Sequence, residues 1–350
     1  MNQKIVYVAM SGGVDSSAAV VLLLRQGYEV RGVTLKLHQY RDRPGLCGST
    51  EDIEAAKAVA ASMGIEHTVL DYTKEFQANV MDKFVAEYEK GNTPNPCIDC
   101  NRTIKFGALM DWALSQGGDY LATGHYAHVC EQDGVFQLRR GKDHRKDQSY
   151  MLYQLNQFQL SHLLLPLWDY EKPVIRDMAA EAGLSNAQKP DSQDICFVPD
   201  GDYTAFLQEY GKLMLEEGDF VDKTGAVLGR HKGQACYTKG QRRGLGVSAA
   251  TPLYVVSKCG NQVVLGSNED LFATTLHAGN PFWTQEPMVH GRVTAKTRYS
   301  QNEALATVDL LDDGTLRVVF DSPQRAMTPG QAVVLYQGDV VIGGATILEG

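Results

Sequence analysis

Ile5-Val6-Tyr7-Val8-Ala9-Met10-Ser11-Gly12-Gly13-Val14-Asp15-Ser16-Ser17 decides the architecture. The apolar residues Ile5 to Met10 end in a Ser/Gly turn and pass into an amphipathic run from Ser17 to Gln26, which reads as strand, tight loop and helix. A loop in that position leaves the first N–H groups of the helix unpaired at the positive end of its dipole, and glycines let an anion approach the backbone. The stretch therefore predicts a phosphate site as well as a fold.

The alternation continues outward. Val30 to Leu37 reads as a strand, Asp52 to Met63 as a helix, His67 to Leu70 as a strand, Phe106 to Ser115 as a helix and Tyr120 to Thr123 as a short buried strand ending at Gly124-His125. Strands separated by helices predict an α/β fold with a doubly wound parallel sheet, which binds ligands beyond the carboxyl ends of its strands. Ser11 and Gly124 both fall there. From about Gly211 the texture changes to short β-prone runs broken by Gly, Asp and Asn, at Gly218 to Leu228, Tyr254 to Val256 and Val263 to Leu265. Regularly spaced runs then follow at Gly291 to Thr297, Glu303 to Leu310, Thr315 to Phe320 and Ala332 to Leu335, as in a sandwich or small β-barrel. The expected organisation is a phosphate-binding α/β domain over 1–210, a small mixed or β domain over 211–278 and a C-terminal β-barrel over 279–350.

A chain of 350 residues exceeds what one core serves, and 43% hydrophobic with 21% charged residues excludes wholesale disorder. No apolar run is long enough to cross a bilayer, so the expectation is a cytoplasmic protein with no membrane partner. The net charge of -9 opposes nonspecific attraction to nucleic acid. Any RNA site must be locally basic. Clusters exist at Arg139, Arg140, Lys142, Arg145 and Lys146, at Lys239, Arg242 and Arg243, and at Lys296 with Arg298, although each alone also fits a solvated charged face.

The loop lacks the Lys-Ser/Thr ending of a Walker A motif and the Gly-x-Gly-x-x-Gly of a dinucleotide fold. It resembles the pyrophosphate loop of the PP-loop ATPases. That resemblance implies ATP cleaved to AMP and pyrophosphate, with Asp15 placed to hold Mg²⁺.

Seven cysteines are too few for a disulfide scaffold. Asn92-Thr93-Pro94-Asn95-Pro96-Cys97-Ile98-Asp99-Cys100-Asn101 sets two of them on a proline-stiffened loop before a helix, and Asp191-Ser192-Gln193-Asp194-Ile195-Cys196-Phe197 carries a third. Arg102, Lys105 and a helix N-terminus near Cys100 would favour its thiolate. Cys47, Cys130, Cys236 and Cys259 read as small packing residues.

Thr-Pro-Asn-Pro-x-x-x-Cys-Asn, Thr-Gly-His-Tyr at Thr123 to Tyr126, Lys-Asp-Gln-Ser-Tyr at Lys146 to Tyr150 and Asp-Ser-x-x-Ile-Cys-Phe together resemble the tRNA-specific 2-thiouridylase family, and the similarity runs through nearly the whole chain. The resemblance implies ATP-dependent 2-thiolation of the wobble uridine of tRNA, with Cys100 as nucleophile and Cys196 as persulfide carrier. It implies ATP contacts from Ala9, Met10, Ser11, Gly12, Gly13, Val14, Asp15, Ser16, Leu35 and Gly124. Asn95, Pro96 and Cys97 would lie beside the target base, an acidic residue being common in the family where this chain has Cys97. The tRNA anticodon arm would be touched by His125, Lys146, Asp147, Gln148, Arg298, Tyr299 and Gln331. A persulfide donor, such as a cysteine desulfurase or relay protein, is the implied partner.

Other readings stay open at this level. Cys97-x-x-Cys100 with Cys196 also fits three thiolates of a zinc or iron–sulfur site, although no second Cys-x-x-Cys accompanies it. A PP-loop ligase acting on a small metabolite would share the loop without needing the remote thiols. A binding protein that keeps the loop without turnover would differ from both in showing no tRNA-dependent pyrophosphate exchange.

Overall fold

The structure is a computed structural model that describes residues 3–38, 49–190 and 195–350. The expectations placed on Cys47 and on Asp191 to Asp194 lie outside the described residues.

In the N-terminal part, β1 (Ile5–Ala9), β2 (Glu29–Lys36), β3 (His67–Asp71) and β4 (Tyr120–Ala122) are followed by a hairpin of β5 (Ala127–Gln132) and β6 (Val135–Arg140), then by β7 (Leu163–Leu164). The sheet order is β3-β2-β1-β4-β7 and every pairing in it is parallel. Val6, Tyr7 and Val8 of β1 are all buried, as a central parallel strand covered on both faces requires. On one face Val6 and Val8 pack with α1 (Val14–Arg25), α2 (Thr50–Ser62) and the helix Lys172–Glu181. On the other, Tyr7 and Leu121 pack with Phe106, Leu109 and Met110. The doubly wound expectation holds.

Residues Pro96 to Ser115 form one helical run. The Asn95 side chain caps it by accepting the Cys97 N–H at 3.2 Å, and Pro96, which has no N–H to lose, occupies the first turn. From Cys100 to Leu109 the turns widen to π geometry, a distortion frequent at functional sites.

The middle unit is a sheet of β8 (Gly218–Val221), β9 (Val227–His231), β10 (Tyr254–Cys259) and β11 (Gln262–Gly266), in the order β10-β11-β8-β9, over a core of Phe220, Tyr237, Val255, Val263 and Leu265. The C-terminal unit contains β12 (Phe272–Trp283), β13 (His290–Lys296), β14 (Ala304–Leu310), β15 (Leu316–Arg325), β16 (Ala332–Gln337) and β17 (Val340–Glu349). They pair in the order β12-β15-β14-β13-β16-β17, and β12 pairs back onto β17, closing a barrel. β12 runs across the division expected at 278–279.

β17 also pairs with β6, setting Val340 opposite Arg139 and Val341 opposite Leu138, so the hairpin of the N-terminal part extends the barrel sheet. Tyr150, buried in the N-terminal part, donates to the Ala332 carbonyl at 2.8 Å. The barrel is thus seated on the α/β domain by main-chain and side-chain bonds.

Candidate active site

The phosphate loop is built by its own side chains. Ser16 Oγ accepts the Ser11 N–H at 3.2 Å and donates to the Gly13 carbonyl at 3.0 Å, which draws the loop into a ring. Asn186 Nδ2 donates to the Gly12 carbonyl at 3.1 Å and to Ser17 Oγ at 2.9 Å. Gly12 has φ +72, and a Cβ there would stand 2.5 Å from the Asp52 carbonyl, so both conformation and space demand glycine. Thr34 Oγ1 donates to the Met10 carbonyl at 2.8 Å and so receives its other hydrogen bond, also 2.8 Å, from His67 Nε2–H. Burial holds that imidazole below its usual pKa, which suits the neutral tautomer.

Asp15 lies in the first turn of α1 and is turned sideways. Lys172 Nζ reaches both its oxygens at 2.6 Å and Tyr126 OH donates to Oδ1 at 2.7 Å. The Lys172 side chain is 9% exposed and that of Asp15 32%, so this pair is better shielded than a surface salt bridge. Lys172→Met is therefore expected to lower stability by about 1–3 kcal/mol, between the exposed and the fully buried cases, read as a lowered urea midpoint. An added Asp15→Asn change should recover part of that loss, since it removes the orphaned charge.

Gly124 closes the loop from above. A Cβ there would stand 2.7 Å from the Asp15 carbonyl carbon and 2.7 Å from the Ser16 nitrogen, so the end of β4 rests directly on the phosphate loop. His125 follows, with Nδ1 and Thr123 Oγ1 2.6 Å apart and its ring 5.8 Å from that of Phe106, in the helical run that carries Cys100. Burial, with help from the charge on Lys105, holds His125 well below the usual histidine pKa. It stays neutral in the fold, whereas in the unfolded chain it takes up a proton as pH falls through about 6.5. Its contribution is therefore fully present above that pH and is lost below it as the folded-state value is approached. The urea midpoint should fall between neutral pH and pH 5, and less steeply in His125→Gln.

Cys100 is buried in a cluster with Leu37, Phe76, Phe84 and Phe197, and Leu35 and Cys196 pack against the same cluster half-buried. Phe197, next to Cys196, makes edge-on contacts with Phe76 at 5.7 Å and Phe84 at 5.3 Å. That aromatic packing gathers residues 100 and 196 around one cluster across nearly a hundred positions of sequence. Cys97 is exposed. Asp99, between the two cysteines, is held by Lys83 at 2.6 Å and by Arg102 at 3.5 Å, so Arg102 is turned to that carboxylate. Among the described residues no three His, Cys, Asp or Glu side chains are gathered as a metal-ligand set.

The other two units converge on the loop before Cys97. Gln331 of the barrel donates to the Thr93 carbonyl at 2.7 Å and the Thr93 N–H donates to the Pro329 carbonyl at 2.9 Å. From the middle unit, Thr238 Oγ1 lies 3.3 Å from Thr93 Oγ1 and Lys258 Nζ donates to the Gly91 carbonyl at 3.0 Å. Arg298 ties these units together, donating to the Lys239 carbonyl at 3.1 Å, the Ala326 carbonyl at 3.2 Å and Thr328 Oγ1.

The remaining RNA-facing expectations divide. Tyr299 is half-buried beside Tyr150, with Lys296 Nζ 5.5 Å above its ring, and burial raises its pKa, with smaller contributions from Asp147, Asp143 and Cys97. The Lys146 N–H donates to the Asp143 carbonyl at 2.9 Å. Gln148 is spent on the Tyr126 main chain, accepting its N–H at 3.0 Å and donating its own N–H to the Tyr126 carbonyl at 2.8 Å. Asp147 is buried, accepting from the Gly141 and Ser149 N–H groups and from Ser149 Oγ, which points its carboxylate into its own loop. Sequence reasoning passed over Tyr126, Lys172, Asn186, Thr93 and Thr238. Tyr126 and Thr93 stood inside quoted motifs, while Lys172, Asn186 and Thr238 carry no local mark because their partners are distant in sequence.

Residues 4–200 match the family model described as tRNA methyl transferase HUP domain, residues 204–266 its PRC-barrel domain, and residues 273–347 an aminomethyltransferase beta-barrel domain. The chain is 48% identical over 355 residues to the tRNA-specific 2-thiouridylase MnmA of Clostridium kluyveri, covering 98% of this chain and 99% of that protein. It is 46% identical to the proteins of the same name from Lachnoclostridium phytofermentans, covering 99% of this chain and 100% of that protein, and Clostridioides difficile, covering 99% and 98%.

Proposed function

Since the chain belongs to the tRNA-specific 2-thiouridylase family, we propose that it is a tRNA-uridine 2-sulfurtransferase that activates the wobble uridine with ATP and replaces its C2 oxygen with sulfur. The observation that carries this reading is one continuous line of contact. The phosphate loop touches Gly124, His125 beside it lies against Phe106, and Phe106 shares a helical run with Cys100, against whose cluster Cys196 packs.

The C2 carbonyl of uracil is urea-like and resists attack until its oxygen becomes a leaving group. The C2 oxygen attacks the α-phosphate of ATP, breaking the bond to pyrophosphate and leaving AMP on that oxygen. Gly12 to Ser16 offer N–H groups and a helix dipole to the departing pyrophosphate. Asp15 would meet the Mg²⁺ that ATP brings once Lys172 turns from it to the phosphates. A persulfide on Cys196, charged by a donor such as a cysteine desulfurase or relay protein, then attacks C2 through its terminal sulfur and AMP leaves. Cys100 attacks the Cys196 sulfur, frees the thiocarbonyl and forms a disulfide, which an external thiol reduces with two electrons. Asn95, Pro96 and Cys97 stand beside the flipped base. No helix among the described residues is long and apolar enough to cross a membrane.

The family model's description names methyl transfer, a different modification of tRNA. Near-half identity along the whole chain to the 2-thiouridylases and a buried thiol on the helical run that carries Phe106 support sulfur transfer instead. Incubation with unmodified tRNA, ATP, Mg²⁺ and a persulfide source, followed by nucleoside mass spectrometry, tests the choice. A mass gain matching oxygen-to-sulfur exchange on uridine is expected, and a gain matching a methyl group, or none, would refute it.

A further inference from the structure

The basic cluster at Lys239, Arg242 and Arg243 has no part in the chemistry above. It sits on an excursion of the middle unit between Tyr237 and β10, rooted by the Gly240 N–H on the Val255 carbonyl at 2.8 Å and by the Val255 N–H on the Gln241 carbonyl at 3.0 Å. Beyond that root, residues 242–253 enter no strand or helix, so their N–H groups are not committed to a ladder. They fold around an open cavity of about 440 Å³ lined by Arg242, Gly244, Gly246, Val247 and Thr251 among others. Gly244 and Gly246 have φ +76 and +67 on either side of the buried Leu245. Glycines in the left-handed region alternating with ordinary residues turn successive N–H groups toward one concavity, a geometry that binds anions. Arg242 and Arg243 are both exposed, and Arg242 lines the cavity.

The surroundings add positive charge. A side chain on Gly240 would stand 3.6 Å from Arg325 Nη1, and Arg298 donates to the Lys239 carbonyl. Lys239 is pushed below its usual pKa by burial and then by Arg298, and Arg298 is lowered by burial with a further push from Arg325. The same segment touches the thiol loop at its other end through Thr238 and Thr93.

We propose that the Lys239–Leu253 segment is a grip for one or two phosphodiester groups of the RNA substrate, with Arg242 and Arg243 as its charged contacts. It rests on the tRNA reading above and adds to it a defined place where the backbone is held. Holding the RNA there sets its distance from the Thr93–Asn95 loop, so the grip positions the anticodon arm without reading bases.

The test is the salt dependence of tRNA affinity, measured by filter binding with the full chain, for the wild type, Arg242→Ala/Arg243→Ala and Arg242→Lys/Arg243→Lys. The alanine pair should bind about tenfold more weakly at low salt, and its slope of log K against log salt should be shallower by about 1–2, at roughly 0.7–0.9 per phosphate released. The lysine pair should keep most of the slope, because the charge is retained. An alanine pair that is folded by its urea midpoint and keeps the wild-type slope overturns the grip while leaving thiolation standing. Wild-type protein that neither binds nor thiolates tRNA overturns the underlying reading.

Discussion

Cys100→Ser is expected to reduce 2-thiouridine formation by about 10³-fold or more while tRNA-dependent release of pyrophosphate from ATP continues. Serine is nearly isosteric and fits the same site among Leu37, Phe76 and Phe197, so the fold should hold. It cannot act as a thiolate or close a disulfide with Cys196. The split between the two readouts matters more than the size of the loss. Adenylation needs only the loop and the base, whereas sulfur delivery needs both thiols. Measuring pyrophosphate and 2-thiouridine in one reaction separates them, and a parallel collapse of both would indicate that Cys100 holds the fold together instead.

The second large effect is expected at a residue with no side chain. Gly124→Ala puts a methyl group within 2.7 Å of the main chain at Asp15 and Ser16, and those backbone atoms cannot swing aside as a flexible side chain would. The phosphate loop must shift by several tenths of an ångström, and a displacement of about 1 Å at a reacting group costs roughly 10²-fold. Pyrophosphate release and thiolation should therefore fall together by about that factor, unlike the split for Cys100→Ser. Gly27, whose added Cβ would meet nothing, is the control: Gly27→Asn keeps a residue type tolerant of its φ of +85 and should leave both rates near wild type.

The phosphate loop and the parallel sheet were legible because their signals are local. A continuous apolar strand, two glycines and a helix start fall within thirteen residues, and periodicity recovers the next two strands. The barrel was legible only in part. β13 to β15 alternate and β16 is a continuous apolar run, but β12 carries Gly279-Asn280-Pro281 and β17 carries Gly343-Gly344, residue types that favour turns. On β12 they form a bulge, as the register shift between Gly279 and Phe282 shows, whereas Gly343 and Gly344 stay paired with Trp283 and Phe282, and a Cβ on Gly343 would stand 2.3 Å from the Phe282 carbonyl. The hairpin β5–β6 had its Asp133-Gly134 turn in plain view, with both residues at positive φ, yet nothing in its sequence says that it will pair with β17.

The site divides the same way. Motifs located the thiols, the loop and Gly124, while the residues that hold them were invisible because each acts across a long sequence gap. Lys172 and Asp15 are separated by 157 positions and Asn186 and Gly12 by 174. Asp147, Gln148 and Arg298 show the converse. Their motifs drew attention, but their polar groups serve largely to bond one loop or unit to another. All three parts of the chain meet at the loop before Cys97, so in the proposed mechanism the target base is positioned jointly by them.

A structure of the enzyme with tRNA and a non-hydrolysable ATP analogue tests the shared pocket most directly. The account predicts the wobble uracil flipped out with its C2 oxygen in line with the α-phosphate over Ser11 to Ser17, and a cysteine sulfur from residue 100 or 196 at about 3–4 Å from C2. Nucleotide and uracil bound as described, with both sulfurs beyond about three times that near-attack distance and no segment able to carry them over, would contradict it.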